Sequence, residues 1–152
     1  MADDRTPSPE FDPFAIGVDL APLPEYRAAA TAGFDFDGFL DQPLRLHEDL
    51  TSGCGGQTWP AGMVLAKHML RYHQTDLRDS RILELGAGGG LVGLGVARGC
   101  TMQQPLIITD QLEMFNLMGH NIKLNQMQEL VKPAILNWTK TETETSMSLL
   151  DP

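Results

Sequence analysis

Arg81-Ile82-Leu83-Glu84-Leu85-Gly86-Ala87-Gly88-Gly89-Gly90-Leu91-Val92-Gly93-Leu94-Gly95-Val96-Ala97 passes from a short apolar run, through four glycines in five residues, into a run of small and branched residues. Glycine costs roughly 0.5–1 kcal/mol relative to alanine in regular structure, so this density marks a place where backbone must turn tightly or let something approach closely. The stretch reads as a β-loop-α unit: a strand over 81–85, a loop over 86–90 and a helix to about Gly99. Downstream, Pro105-Leu106-Ile107-Ile108-Thr109-Asp110 is a second buried strand, with the proline at its first residue, where no ladder donor is lost. Met114, Phe115, Met118 and Ile122 then share one side of a helix running to about Asn125, and 132–138 supply a third short strand. The order β-α-β-α-β predicts parallel strands joined by right-handed crossovers, in sequential order 3-2-1, with a ligand crevice at their carboxyl ends.

Upstream, Pro60 suits the first position of a helix to His73, because its missing N–H would be unpaired there anyway, and Thr58 is a plausible N-cap. Ala61, Leu65, His68, Met69 and Tyr72 fall on one face of that helix, which is expected to pack on the sheet. His68 and Met69 read as packing residues and His120 as a surface residue. Phe34/Phe36 and Leu44/Leu46 alternate with polar residues around Asp41-Gln42-Pro43, which predicts a β-hairpin. Through about Gly33 the chain holds five prolines, scattered acids and no sustained period, so residues 1–33 are expected to be a disordered leader. Residues 139–152 read as a polar tail.

The chain has 152 residues and a net charge of −9, with 42% apolar and 20% charged residues. That suits one small α/β domain, 34–138, rather than two. Residues 1–50 carry 11 acids against 3 bases, so the acidity is concentrated at the front. No apolar run is long enough to cross a bilayer, and the acidic, proline-rich start resembles neither a secretory signal nor a transit peptide. The expected address is cytoplasmic, with no membrane partner. The acidic balance also argues against nucleic acid as a partner. Cys54 and Cys100 form neither a disulfide framework nor a zinc pattern; both are expected to be reduced, buried small hydrophobes, and no metal is expected.

Two glycine registers overlap in the loop. Gly88 to Gly93 satisfies G-x-G-x-x-G, with Asp110 22 residues beyond Gly88, which allows a dinucleotide and an oxidoreductase. Glu84 to Gly90, however, reads E-x-G-x-G-x-G, with an acid inside the strand end. Buried there, Glu84 can organise the loop through hydrogen bonds, whereas beside a diphosphate it would add like-charge repulsion. This second register resembles that of S-adenosylmethionine-dependent methyltransferases. Glycines at 86 and 88 let backbone approach the ligand, and Asp110 suits bidentate acceptance from two ribose hydroxyls. Asp110 can equally serve as a helix N-cap.

With the flanks included, "GGQTWPAGMVLAKHML", "ILELGAGGGLVGLGVA", "IITDQLEMFNLMGHNIKLN" and "LNW" together resemble the family-16 protein lysine methyltransferases, which are seven-strand, class I enzymes. The likeness covers about residues 34–138 in the family's order, and is nearest the branch acting on translation elongation factor 1-alpha. It implies a Rossmann-like sheet, S-adenosyl-L-methionine as cofactor, and methyl transfer to a lysine of a cytosolic protein, with that elongation factor as candidate partner. Trp59, Glu84, Gly86, Ala87, Gly88, Asp110 and Trp138 are the implied cofactor-binding positions; no catalytic residue is assigned. Either tryptophan can instead be a structural anchor, Trp59 between hairpin and helix and Trp138 over the sheet end. Asn137 stands where the family usually has an acid. Only 14 residues follow Trp138, so the C-terminal half of the family's sheet is expected to be missing, including the Asp-x-x-Tyr-like segment of its lysine site. The strand at 81–85 is then expected to leave an apolar open edge. A catalytically incompetent or regulatory S-adenosylmethionine-binding chain is the alternative to an enzyme.

Overall fold

The computed structural model describes residues 29–51 and 53–138. Residues 1–28 of the expected leader and the tail over 139–152 lie outside these residues. Strands β1 (Ala29–Phe34) and β2 (Leu44–Asp49) form an antiparallel pair; α1 (Pro60–Tyr72) follows, and then β3 (Leu83–Leu85), α2 (Leu91–Gly99), β4 (Leu106–Asp110), α3 (Leu112–Leu124) and β5 (Val131–Ile135). The last three strands make a parallel sheet in the order β3-β4-β5, with Leu83 opposite Ile107, Leu85 opposite Thr109 and Asp110 opposite Ile135. This is the expected α/β, Rossmann-like arrangement. Two crossovers of the same hand in a sequentially ordered sheet put α2 and α3 on one face, leaving the other face uncovered among the described residues.

Helix α2 lies at the centre, and its small residues explain why. A Cβ on Gly93 would overlap Ile108 of the sheet; one on Gly95 would crowd the Phe36 ring; one on Gly99 would overlap Leu70 of α1. Each of three neighbours therefore sits closer than a larger side chain allows. The core formed around α2 includes Phe36, Leu44, Leu46, Leu70, Leu94, Leu106, Ile108, Met118 and Val131.

Four local expectations are corrected. The hairpin is present, but its first strand begins at Ala29, inside the stretch read as leader, because its residues gain a full ladder from β2 that no hydrophobic pattern announces. Phe36 is not a strand residue: it turns into the left-handed region with φ 55°, and its ring is buried beneath α2. Helix α1 packs on α2 rather than on the sheet, with Ala66 and Leu70 buried and Gly62 within reach of Leu91 and Val92. Leu65 and Tyr72 on the expected core face are about half exposed, and His68 is exposed beside the Tyr72 and His73 rings. The buried stripe of α1 lies about one position out of phase with the expected one, because Gly62 and Ala66 make close contacts that apolar patterning does not weight. Thr58 does not cap α1. Trp59 occupies the N-cap without a side-chain bond, and Thr58 donates its N–H (2.6 Å) and its hydroxyl to the Glu48 carboxylate.

Helix α3 closes one edge of the hairpin through side chains. Asn125 Oδ1 accepts the Arg45 N–H (2.9 Å) while its Nδ2 donates to the Arg45 carbonyl (2.6 Å). Asn121 does the same for His47, at 2.8 and 3.0 Å. Two asparagines four apart, one in the last turn of α3 and one at its C-cap, thus stand in for a neighbouring strand, satisfying backbone groups that would otherwise be orphaned.

Candidate functional site

The glycine loop turns sharply at the carboxyl end of β3, with φ values of 64°, 55° and 88° at Gly86, Gly88 and Gly90, a region that side chains rarely tolerate. Three contacts hold it. The Gly88 N–H donates to Asp110 Oδ2 (2.7 Å), the Ala87 N–H to the Thr109 carbonyl (2.9 Å), and the Gly89 carbonyl accepts from Asn121 Nδ2 (2.9 Å). Asn121 is fully buried, so one side chain ties the loop, α3 and the hairpin together.

Across the loop lies the short turn Cys54–Gly56. Gly55 approaches Gly88 so closely that a Cβ on Gly88 would overlap the Gly55 carbonyl oxygen, and Gly56 is boxed in by the Asp49 carbonyl and Leu117. The Cys54 carbonyl accepts from Trp59 Nε1 (3.3 Å), which sets the indole at the cleft mouth. Cys54 itself is exposed, against the expectation that both cysteines are buried; Cys100 is buried. The correction has a simple cause: the turn carrying Cys54 forms the lip of a cleft, not part of the core.

The cleft between loop, turn, α1 and β3 has a volume of about 630 Å³ and is lined by Trp59, Glu84, Gly86, Ala87, Gly88 and Asp110, together with Leu65, Met69, Leu83 and Leu85. Six of the seven positions singled out from sequence meet here. The seventh, Trp138, is exposed and lies across Gly86, its ring atoms 3.9 Å from where a Cβ on that glycine would sit.

Two carboxylates divide the work. Asp110 is not an N-cap, since Gln111 holds that place; its Oδ1 accepts the Gln111 N–H (2.7 Å) and its Oδ2 the Gly88 N–H. Asp110 lines the cleft and each of its oxygens retains acceptor capacity, so a diol can be accepted as well. Glu84 faces α2 and accepts the Gly93 N–H (2.8 Å). Burial pushes its pKa up to about 7; the Gly93 bond opposes the rise and the nearby Asp110 charge adds to it. Glu84 fastens β3 to the first turn of α2 and so supports the loop between them. The asparagines of α3 were missed at the sequence level, although polar residues spaced four apart on an otherwise apolar helix face were a usable signal. Among the described residues there is no group of three or more His, Cys, Asp or Glu suited to a metal, and no helix long and apolar enough to cross a membrane.

A family model for lysine methyltransferases matches residues 39–151. The chain is 32% identical over 119 residues to protein-lysine N-methyltransferase EFM2 of Saccharomyces cerevisiae, covering 66% of this chain and 28% of that protein. It is 32% identical over 133 residues to protein-lysine N-methyltransferase EFM6 of the same yeast, covering 78% and 54%. It is also 30% identical over 118 residues to the histone-arginine methyltransferase METTL23 of Xenopus laevis, covering 76% and 49%. The matches thus span between about a quarter and about half of these relatives' own lengths.

Proposed function

The chain belongs to the lysine methyltransferase family, and on that premise we propose that its cleft binds S-adenosyl-L-methionine for methyl transfer to a lysine ε-amine of a cytoplasmic protein, translation elongation factor 1-alpha being the candidate substrate. The observation that carries the reading is the pairing of Asp110 with the Gly86–Gly88 turn. A carboxylate already aligned by two backbone N–H groups stands beside a stretch of bare backbone, at the carboxyl end of a parallel sheet.

The residues present fit this cofactor. Asp110 would accept from its ribose hydroxyls, the glycines would let its amino-acid part lie on the backbone, and Trp59 and Trp138 offer broad π-faces to its adenine or sulfonium. Glu84 supports the loop from behind. When bound, the cofactor supplies an electrophilic methyl group on sulfur. The acceptor amine must be neutral to attack, which desolvation favours, and positioning supplies much of the acceleration. Two relatives are named for lysine and one for histone arginine; the family match and the two lysine-named relatives favour lysine.

The test is calorimetric titration of the chain with S-adenosylhomocysteine, followed by methyl incorporation into translation elongation factor 1-alpha. Saturable binding at one site per chain is expected, along with incorporation at lysine. Stabilisation by a dinucleotide but not by S-adenosylhomocysteine would overturn the reading. Binding without incorporation into any protein offered would leave a regulatory, S-adenosylmethionine-binding role.

A further inference from the structure

Leu44, Leu46 and Glu48 alternate along one face of β2, and the two leucines are buried in the core. The row ends on an acid where its pattern calls for a further apolar side chain. That acid is spent on a single residue of the following segment: Glu48 Oε1 accepts both the N–H (2.6 Å) and the hydroxyl of Thr58. Glu48 itself stays off the cleft surface, while Leu46 before it and Gly55 to Trp59 beyond it line the cleft.

The wall from Gly55 to Trp59 has no apolar anchor. Of its residues Gly56 alone is buried, and Trp59 is 53% exposed. Hydrophobic burial therefore does little to decide where the wall stands. Contacts of Gly55 with Met114 and Gly88, and of Gly56 with the Asp49 carbonyl, limit how near it can come to the rest of the molecule. The bond from Trp59 to the Cys54 carbonyl joins two parts of the same turn. The Glu48 bonds tie the wall to the hairpin, at the residue next to the indole.

We propose that Glu48 is a positioning residue of the cleft: by holding Thr58 it fixes the wall and the Trp59 indole, and so sets affinity for S-adenosyl-L-methionine without touching it. The proposal rests on the cofactor reading. A wall already in place costs the ligand no ordering on binding, and a carboxylate accepting from two donors is a strong way to hold it.

Affinity is measured by calorimetry, and Trp59 is watched separately by fluorescence in a Trp138→Phe background, since the chain has two tryptophans. Both readings are taken well below the melting temperature, where a mere loss of global stability moves neither. Glu48→Ala should weaken S-adenosylhomocysteine binding about tenfold and, without ligand, make Trp59 more readily quenched by acrylamide. Glu48→Gln keeps an oxygen at the same place and should recover most of both. Thr58→Val removes the hydroxyl bond alone and should weaken binding about threefold in the parent but no further in Glu48→Ala, because the two residues act through one contact. Unchanged affinity and quenching in Glu48→Ala overturn the proposal. So does an affinity that falls as far in Glu48→Gln as in Glu48→Ala, which would mean that the charge acts and not the tie. If Glu48→Ala does not fold, Thr58→Val decides, and affinity equal to the parent's overturns the proposal. If the parent chain binds no S-adenosylhomocysteine, the cofactor reading fails by itself, and the ligand-free quenching still decides whether Glu48 holds the wall.

Discussion

Asp110 joins structure to chemistry at a single side chain. Asp110→Ala removes the charge and both acceptors, whereas Asp110→Asn keeps an acceptor for one of the two backbone N–H groups. Since hydrogen bonds to charged groups contribute about 1.5–3 kcal/mol, either variant should weaken S-adenosylhomocysteine binding about 10- to 100-fold by calorimetry. Both variants should also lower the melting temperature, the alanine variant more. Glu84 gives a second test, through pH. Its folded-state pKa of about 7 lies above the ordinary value of 4.5, so the folded state binds the proton more tightly than the unfolded state. Stability is then greatest below the unfolded value and falls as pH rises from about 4.5 to about 7, by about 3 kcal/mol in all. Glu84→Gln keeps an acceptor for Gly93 without the charge. It should melt higher than the parent at pH 8 and level with it near pH 4, measured by thermal denaturation at both pH values. A variant that melts lower at pH 8 would mean that the ionised carboxylate is stabilising instead.

At the scale of elements, the hairpin is held to the Rossmann-like half by side chains of α3 rather than by a shared sheet. Asn121→Ala would leave the His47 N–H, the His47 carbonyl and the Gly89 carbonyl without their partner in a buried site. With each orphaned group costing about 1–3 kcal/mol, a loss of at least about 3 kcal/mol is expected in urea denaturation. Hydrogen exchange should quicken at His47 beyond the global loss. On the opposite side, Gly93→Ala puts a methyl against both Glu84 and Ile108. The strand–helix spacing beneath the glycine loop must then open, at a cost of about 1–3 kcal/mol, and weaker binding of S-adenosylhomocysteine should accompany it. These elements were legible to different degrees. The β-α-β-α-β order and the helix of Met114, Met118 and Ile122 stood out because a strong apolar period meets a buried face. The phase of α1 did not, because Gly62 and Ala66 make their contacts by being small, and a hydrophobic pattern gives such residues little weight.

For the whole molecule, a ligand confined to the folded state must raise its stability by mass action. S-adenosylhomocysteine at 100 times its dissociation constant should therefore add about 2.7 kcal/mol to the unfolding free energy, read as an increase in urea midpoint without a change in slope. Loss of that increase in Asp110→Asn would tie the stabilisation to the cleft.

From the sequence alone, the chain's strand order, its glycine loop, the acid at the end of β4 and its family resemblance were all readable, because each is written in contiguous residues whose spacing has a direct backbone meaning. Only the tertiary structure decided that Trp59, Asp110 and the loop face one cleft, that Gly55 and Gly56 line it while Cys54 beside them is exposed, and that Glu84 is turned toward α2. It alone showed Asn121 and Asn125 completing the edge of β2. Those assignments depend on partners 9 to 80 residues away and on distances of a few ångströms, which local periodicity does not encode.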